Sequence, residues 1–210
     1  MVKKRRMGPE NAATRVMLMD AVEAVMREDG YAALSARKVA ARAGLKYQIV
    51  FYYFSTMDDL LLAAYRRRTE RVLEKIQQAL RAERPLHAFW KAWRDPADAA
   101  LSMEYMALAN HNEAIRSETI EFGERIRRVK LRGLSQQLPG TDLDPDVFTP
   151  FAIAMAIASM GGILGFEDAL GISGGHREVE RIVKWCLKRL EPEPAATIRT
   201  DSGSERFRTG

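Results

Sequence analysis

The sequence has little of what metal centres and disulfide frameworks are made from. Its 210 residues include one cysteine, Cys186, so no intramolecular disulfide can form and a zinc site of the CxxC…CxxC kind is excluded. The three histidines, His87, His111 and His176, stand far apart, and no HExxH spacing occurs. A phosphate-binding glycine loop, a dinucleotide glycine fingerprint and a nucleophile elbow are all missing. The carboxylates mostly alternate with Arg and Lys, as on solvated helix faces. No metal, no cofactor and no enzymatic activity are therefore expected. Period-two strand alternation is absent as well. Lys3-Lys4-Arg5-Arg6 is followed by Met7-Gly8-Pro9-Glu10 rather than by an apolar run, which makes a reducing cytoplasm the expected compartment.

What is present is an ordinary globular composition, 47% hydrophobic and 29% charged, sufficient for a core in one large domain or two small ones. The charge is unevenly placed. The chain carries 33 basic and 28 acidic residues, a net charge of +5. Residues 1–54 hold ten basic and five acidic residues, so the whole excess sits in the first quarter. Such asymmetry suits either a polyanion-binding head on a neutral body or a basic tail on an unremarkable domain.

Helical spacing dominates and predicts an all-α fold of about nine helices. The first runs from about 9 to 29, with Leu18, Ala21, Val22 and Val25 on one stripe and Gly30 closing it. Ser35 is placed to cap a short helix over 36–43, with Leu34 and Val39 as a hydrophobic staple and Gly44 as its stop. A third short helix covers 47–54. Thr56-Met57-Asp58-Asp59 reads as a capping box that opens a long helix over 57–82. Further helices are expected over 86–94, 97–110 and 113–137, with a break at Leu138-Pro139-Gly140. Asp144-Pro145 is taken to start the next, reaching Leu170, and the last spans 176–190. Residues 1–10 read as a basic disordered arm and 191–210 as a disordered tail.

Residues 35–54, SARKVAARAGLKYQIVFYYF, describe two short helices joined by a tight glycine turn, a helix-turn-helix pattern. On the third helix Val50, Phe51 and Phe54 share a face that should bury, while Gln48, Ile49, Tyr52 and Tyr53 point the other way. Two tyrosines and an isoleucine are unusual on a merely solvated surface. They suit a helix pressed into a DNA major groove, where Gln reads adenine edges, Ile touches a thymine methyl and Tyr hydroxyls reach phosphates. Packing of these aromatics on a neighbouring domain is the alternative. Arg37, Lys38, Arg42 and Lys46 around the same segment favour the groove.

The run Gly30-Tyr31-Ala32-Ala33-Leu34-Ser35, then Val39-Ala40-Ala41-Arg42-Ala43-Gly44-Leu45, Phe51-Tyr52-Tyr53-Phe54 and Asp58-Asp59-Leu60-Leu61 resembles the amino-terminal domain of the tetracycline-repressor-like (TetR) regulators. The resemblance covers residues 12–62. It implies a helix-turn-helix DNA-binding domain over 11–56 and a helical ligand-binding and dimerisation domain over 57–190. It further implies a homodimer whose last two helices form the interface. Carried onto these positions, it places Ser35 against a phosphate and Arg37 against a phosphate or a guanine. Tyr47, Gln48 and Ile49 fall at base-contacting positions, and Tyr52 and Tyr53 at the phosphate-contacting pair. Lys46 stands where many relatives have a capping Ser, exchanging a cap for a cation. Tyr47 occupies a more often polar or basic position that borders the buried face. Met57 replaces a Lys, removing a phosphate contact.

Residues 147–166 are twenty consecutive uncharged positions, long enough to raise a membrane span. Its alanines, glycines, Thr149, Pro150 and Ser159 make it only mildly apolar, and both flanks are acidic without Lys or Arg anchors. No membrane partner is expected. Ala154, Ala158 and Gly162 recur at four, and Val179, Val183, Cys186 and Leu187 lie on the apolar stripe of the last helix. These are the candidate dimer contacts, with plain intramolecular core as the alternative. Candidates for a ligand pocket are Phe89, Trp90, Trp93, Met103, Tyr105, Met106, His111, Phe122 and Met155, a set that suits an adaptable apolar cavity or ordinary core equally.

The resulting expectation is a sequence-specific, homodimeric transcriptional regulator. It would repress from a pseudo-palindromic operator in double-stranded DNA and be released by a small apolar effector. A helical ligand-binding or adaptor protein without operator binding is the alternative.

Overall fold

The computed structural model describes residues 13–135 and 144–192. The basic arm Lys3–Arg6, the first turn expected from residue 9, the break at Leu138-Pro139-Gly140 and the tail beyond 192 lie outside the described residues. Among the described residues there are nine α-helices and no strand: α1 Ala13–Asp29, α2 Ala36–Arg42, α3 Tyr47–Tyr53, α4 Met57–Leu80, α5 Pro85–Trp93, α6 Pro96–Ala109, α7 Glu113–Ser135, α8 Pro150–Ala169 and α9 His176–Leu190. A single 3-10 turn, Tyr31–Ala33, follows α1 and was not foreseen.

The local start and stop signals act as expected. Ser35 Oγ accepts the Lys38 amide at 3.2 Å and caps α2. Gly44, at φ 68°, ends it in a Schellman arrangement, with Leu45 N donating to Ala40 O at 2.8 Å and Gly44 N to Ala41 O at 3.1 Å. The Thr56–Asp59 box is reciprocal, both bonds at 3.0 Å. Asp serves where Glu is commoner because the Thr56 amide is within its shorter reach.

Two expectations need correcting. Asp144-Pro145 does not start α8; Asp144 Oδ1 accepts the Asp146 amide at 2.9 Å in a local turn. The helix begins five residues later, where Thr149 Oγ1 accepts the Ala152 amide at 3.1 Å and Pro150 takes the first helical position. The second signal prevails because the apolar run that packs starts there. Glu191 is also not the start of a loose tail. Its carboxylate accepts the Leu86 and His87 amides, each at 3.1 Å, and lies 2.6 Å from His87 Nδ1. It thereby satisfies the free amides at the start of α5.

Two hydrophobic cores form. The first joins α1, α2 and α3 to the opening half of α4 (Leu60, Leu61, Ala64, Tyr65) and to Leu101, Tyr105, Leu108 and Ile115. The second joins the closing half of α4 (Leu73, Ile76, Leu80) to α5, α7, α8 and α9. Packing therefore does not break at residue 57; α4 belongs to head and body together. By length and composition α8 could cross a membrane. One side of it is instead packed by α5, α6 and α7.

Candidate nucleic-acid interface

The sequence of α3 alternates what the head core takes and what it leaves outside. Val50 and Phe54, four apart, are fully buried. Phe51 is only half-buried. Ile49 and Tyr53 are half-buried at the border of the core rather than fully outward. Gln48 and Tyr52 are exposed on the opposite side. Tyr47, whose periodicity was ambiguous, is exposed too, at 43%. The Tyr52 and Tyr53 rings meet edge-on with centroids 4.9 Å apart, which orients both phenols.

The helix is held from behind. Arg15 of α1 donates to Tyr53 O at 3.0 Å, and its guanidinium lies 4.1 Å from the Phe54 ring centroid. This anchor was not foreseen, because its partner is a backbone carbonyl 38 residues away. Met57, in the position that often holds a Lys, packs half-buried against the head core.

The cations divide into two groups. Lys38 pairs with Asp29 at 3.2 Å and Arg42 pairs with Glu28, so both are partly neutralised by α1. Arg37 is exposed, its guanidinium 5.7 Å from the Tyr47 ring centroid. Lys46 is exposed at the start of α3 and makes no side-chain cap there. Ser35 is exposed, with its hydroxyl engaged by the α2 cap. The solvent side of α2–α3 thus gathers Ser35, Arg37, Lys46, Tyr47, Gln48 and Tyr52, with Ile49 and Tyr53 at its edge. No carboxylate from this segment shares it, since residues 35–54 contain none.

Residues 18–64 match the family model of the bacterial regulatory proteins of the tetR family. Over these residues the head is similar to the DNA-binding region of that family. The fold of the described chain is that of several solved transcriptional regulators. A Rhodococcus transcriptional regulator superposes with a TM-score of 0.65 at 21% identity, covering 84% of this chain and 95% of that one. A TetR transcription regulator from Haloarcula marismortui gives 0.64 at 19% identity over 84% and 96%. A regulator from Saccharomonospora viridis, solved in complex with choline, gives 0.68 at 15% identity over 83% and 95%. Among proteins of curated function, none matches the sequence.

Behind the head, the nine pocket candidates do not come together. Phe89, Trp90, Trp93 and Phe122 belong to the body core, and Met155 is half-buried on α8. Tyr105 lies in the head core instead, its ring centroid 4.8 Å from that of Tyr65. Burial pushes its phenol well above the ordinary value and keeps it neutral. Met103, Met106 and His111 are exposed, because α6 turns Leu101, Tyr105 and Leu108 inward.

The candidate dimer residues mostly face their own protomer. Ala154, Ala158, Val183 and Leu187 are buried in the body core, and Val179 packs against it. Cys186 is half-buried. Two glycines of α8 make room for the indoles of α5. A Cβ on Gly161 would stand 3.3 Å from the Trp90 ring, and one on Gly162 would stand 3.4 Å from Trp93 Nε1. What these two helices leave outside is apolar nonetheless: Phe151 and Ile163 on α8, and Ile182 and Trp185 on α9, the last 66% exposed. An open groove of about 380 Å³ between them is lined by Phe148, Ile153, Ile157, Met160, Trp185 and Leu190, among others.

Proposed function

We propose that this protein is a cytoplasmic, homodimeric repressor that holds a pseudo-palindromic operator and lets go when a small apolar effector enters its body. The outward side of α3 carries this reading: Tyr47, Gln48 and Tyr52 stand exposed on a helix anchored from behind, flanked by the unneutralised cations Arg37 and Lys46. Gln48 and Tyr47 would read base edges. Tyr52, Tyr53 and Ser35 would meet phosphates, Arg37 a phosphate or guanine, and Ile49 a thymine methyl from the edge of the interface.

Dimerisation through the exposed apolar faces of α8 and α9 would place two heads on successive major grooves, ~34–36 Å apart. A contiguous apolar surface of this kind is what a monomer avoids leaving in water. The choline complex of the Saccharomonospora viridis regulator supports a small-molecule site in a body of this architecture. Effector release then requires that the ligand prefer the dimer whose heads no longer match the operator spacing.

The test is binding to the promoter DNA beside the protein's own gene, over a range of salt concentrations. The wild type should form a sequence-specific complex that weakens as salt rises. Gln48→Ala and Tyr52→Ala should abolish specific binding with dimer and thermal stability unchanged. Specific binding that survives both substitutions rules out this use of α3.

A further inference from the structure

Helices α4 and α7 lie side by side, and their seam is closed at both ends. At one end Arg66 pairs with Glu118, and Arg125 donates to both carboxylate oxygens of Glu70 at 2.5 and 2.9 Å. At the other end a Cβ added to Gly133 would stand 2.8 Å from Leu80 Cδ1, so the two helices meet directly there. Between these closures the seam opens into a cleft of about 420 Å³. That volume falls within the usual span of small-molecule sites, roughly 300–1,000 Å³. Its floor is apolar: Leu73 is buried and Val129 half-buried, both in the body core.

The walls of the cleft carry charge that the protein itself does not use. Over Arg125–Arg132, α7 brings five cations to this stretch, and three are already engaged. Arg125 holds Glu70, and Arg127 pairs with Glu124 at 2.7 Å. Lys130 turns into the core, 3% exposed, with its ammonium 4.0 Å from the Trp93 ring centroid and 5.4 Å from that of Phe89. Burial, reinforced by the nearby Arg127 charge, pushes its pKa down to about 8. Arg128 and Arg132 remain, one turn apart on a single face, both exposed and both lining the cleft. Among the described residues no hydrogen bond or ion pair engages either guanidinium. On the α4 wall Glu74, one turn beyond Glu70, lines the same cleft and is likewise unpaired. The ladder of ion pairs along the seam thus stops where the cleft opens, with two guanidinium forks on one wall and a carboxylate on the other.

We propose that this cleft binds a free amino acid with an aliphatic side chain. Its carboxylate lies between Arg128 and Arg132, its ammonium meets Glu74, and its side chain covers Leu73 and Val129. Guanidinium forks match a carboxylate in shape as well as charge. Glu74 repels a ligand that carries only negative charge, and the two arginines repel one that carries only positive charge. The walls therefore select a molecule that bears both. The cleft shares no lining residue with the apolar groove between α8 and α9, so the proposal goes beyond the operator reading and does not depend on it.

The probes are leucine, isocaproate (leucine without its ammonium) and isoamylamine (leucine without its carboxylate), titrated calorimetrically into the full-length protein. Leucine should bind at least ~10-fold more tightly than either analogue, since each lacks one set of charge-assisted hydrogen bonds. Arg128→Gln and Arg132→Gln should each weaken leucine binding by about 10-fold or more. Glu74→Gln should bring leucine and isocaproate to equal affinity. All three side chains are exposed and unpaired, so thermal unfolding should be unchanged in these variants, which separates loss of the site from loss of the fold. Absence of saturable leucine binding, equal affinity of the wild type for leucine and isocaproate, or leucine binding that survives both arginine substitutions overturns the proposal.

Discussion

The backbone amide of Tyr31 donates a 2.7 Å hydrogen bond to Glu104 Oε2 on α6. The bond fastens the turn after α1 to the body. Gly30, at φ 79°, makes the geometry possible by turning the chain out of α1. Beside it, Arg67 pairs with Asp20 and Arg71 with Glu23, so α4 is clasped to α1 by two guanidinium–carboxylate pairs.

Glu104→Ala should lower stability by about 1–2 kcal/mol, because it leaves a partly buried amide without an acceptor. Thermal unfolding measures this. Glu104→Gln keeps an acceptor oxygen and should lose less. Equal stability for all three proteins would mean that water replaces the carboxylate.

Trp185→Glu and Ile182→Glu should convert the proposed dimer to monomer, read by sedimentation equilibrium. Both side chains are mostly exposed in the protomer, so monomer stability should change by no more than about 0.5 kcal/mol. Ala158→Leu should behave differently. That alanine is buried in the body core, and an enlarged side chain there should destabilise the fold by roughly 1–3 kcal/mol.

Arg37→Gln and Lys46→Gln should each flatten the salt dependence of operator binding. The logarithmic slope falls by about 0.9 for each phosphate that the protein no longer neutralises. Lys38→Gln should alter the slope less, since its ammonium is already engaged by Asp29. Identical slopes for all three variants would remove the distinction between paired and unpaired cations on this face.

Stability should respond to alkaline pH through Lys130. The unfolded lysine keeps its proton up to the ordinary value, whereas the folded one releases it near 8. Between those two values the unfolded state binds more protons, so stability rises with pH. The gain is on the order of 1–3 kcal/mol. It should be absent from Lys130→Met, and the difference between the two unfolding curves isolates it from tyrosine ionisation.

Local signals proved readable because their partners are a few residues away. The Ser35 cap, the Gly44 turn and the Thr56–Asp59 box each involve neighbours that the sequence itself supplies. The exposure of Gln48 and Tyr52 followed from the same short-range logic, since Val50 and Phe54 fix the inward side of α3. Two kinds of information were hidden. In α8 apolar residues surround the whole helix, so no stripe says which side meets α5 and which is left bare; Ala154 and Ala158 proved to be inward. On α7 the charged run conceals Lys130, because periodicity reads charge as outward and only the packing of Trp93 and Phe89 turns one cation in. Arg15 was equally invisible, its acceptor being a main-chain carbonyl far along the chain.

One rod, α4, is embedded at one end among Leu60, Leu61 and Ala64 and at the other among Leu73, Ile76 and Leu80. Its 24 residues span about 36 Å. No hinge separates the two ends, so α4 works as a stiff lever. A tilt of only ~5° forced at the far end carries the near end through roughly 3 Å over that length. A rearrangement no larger than a repositioned indole can thereby become a displacement of the head at the other end of the rod.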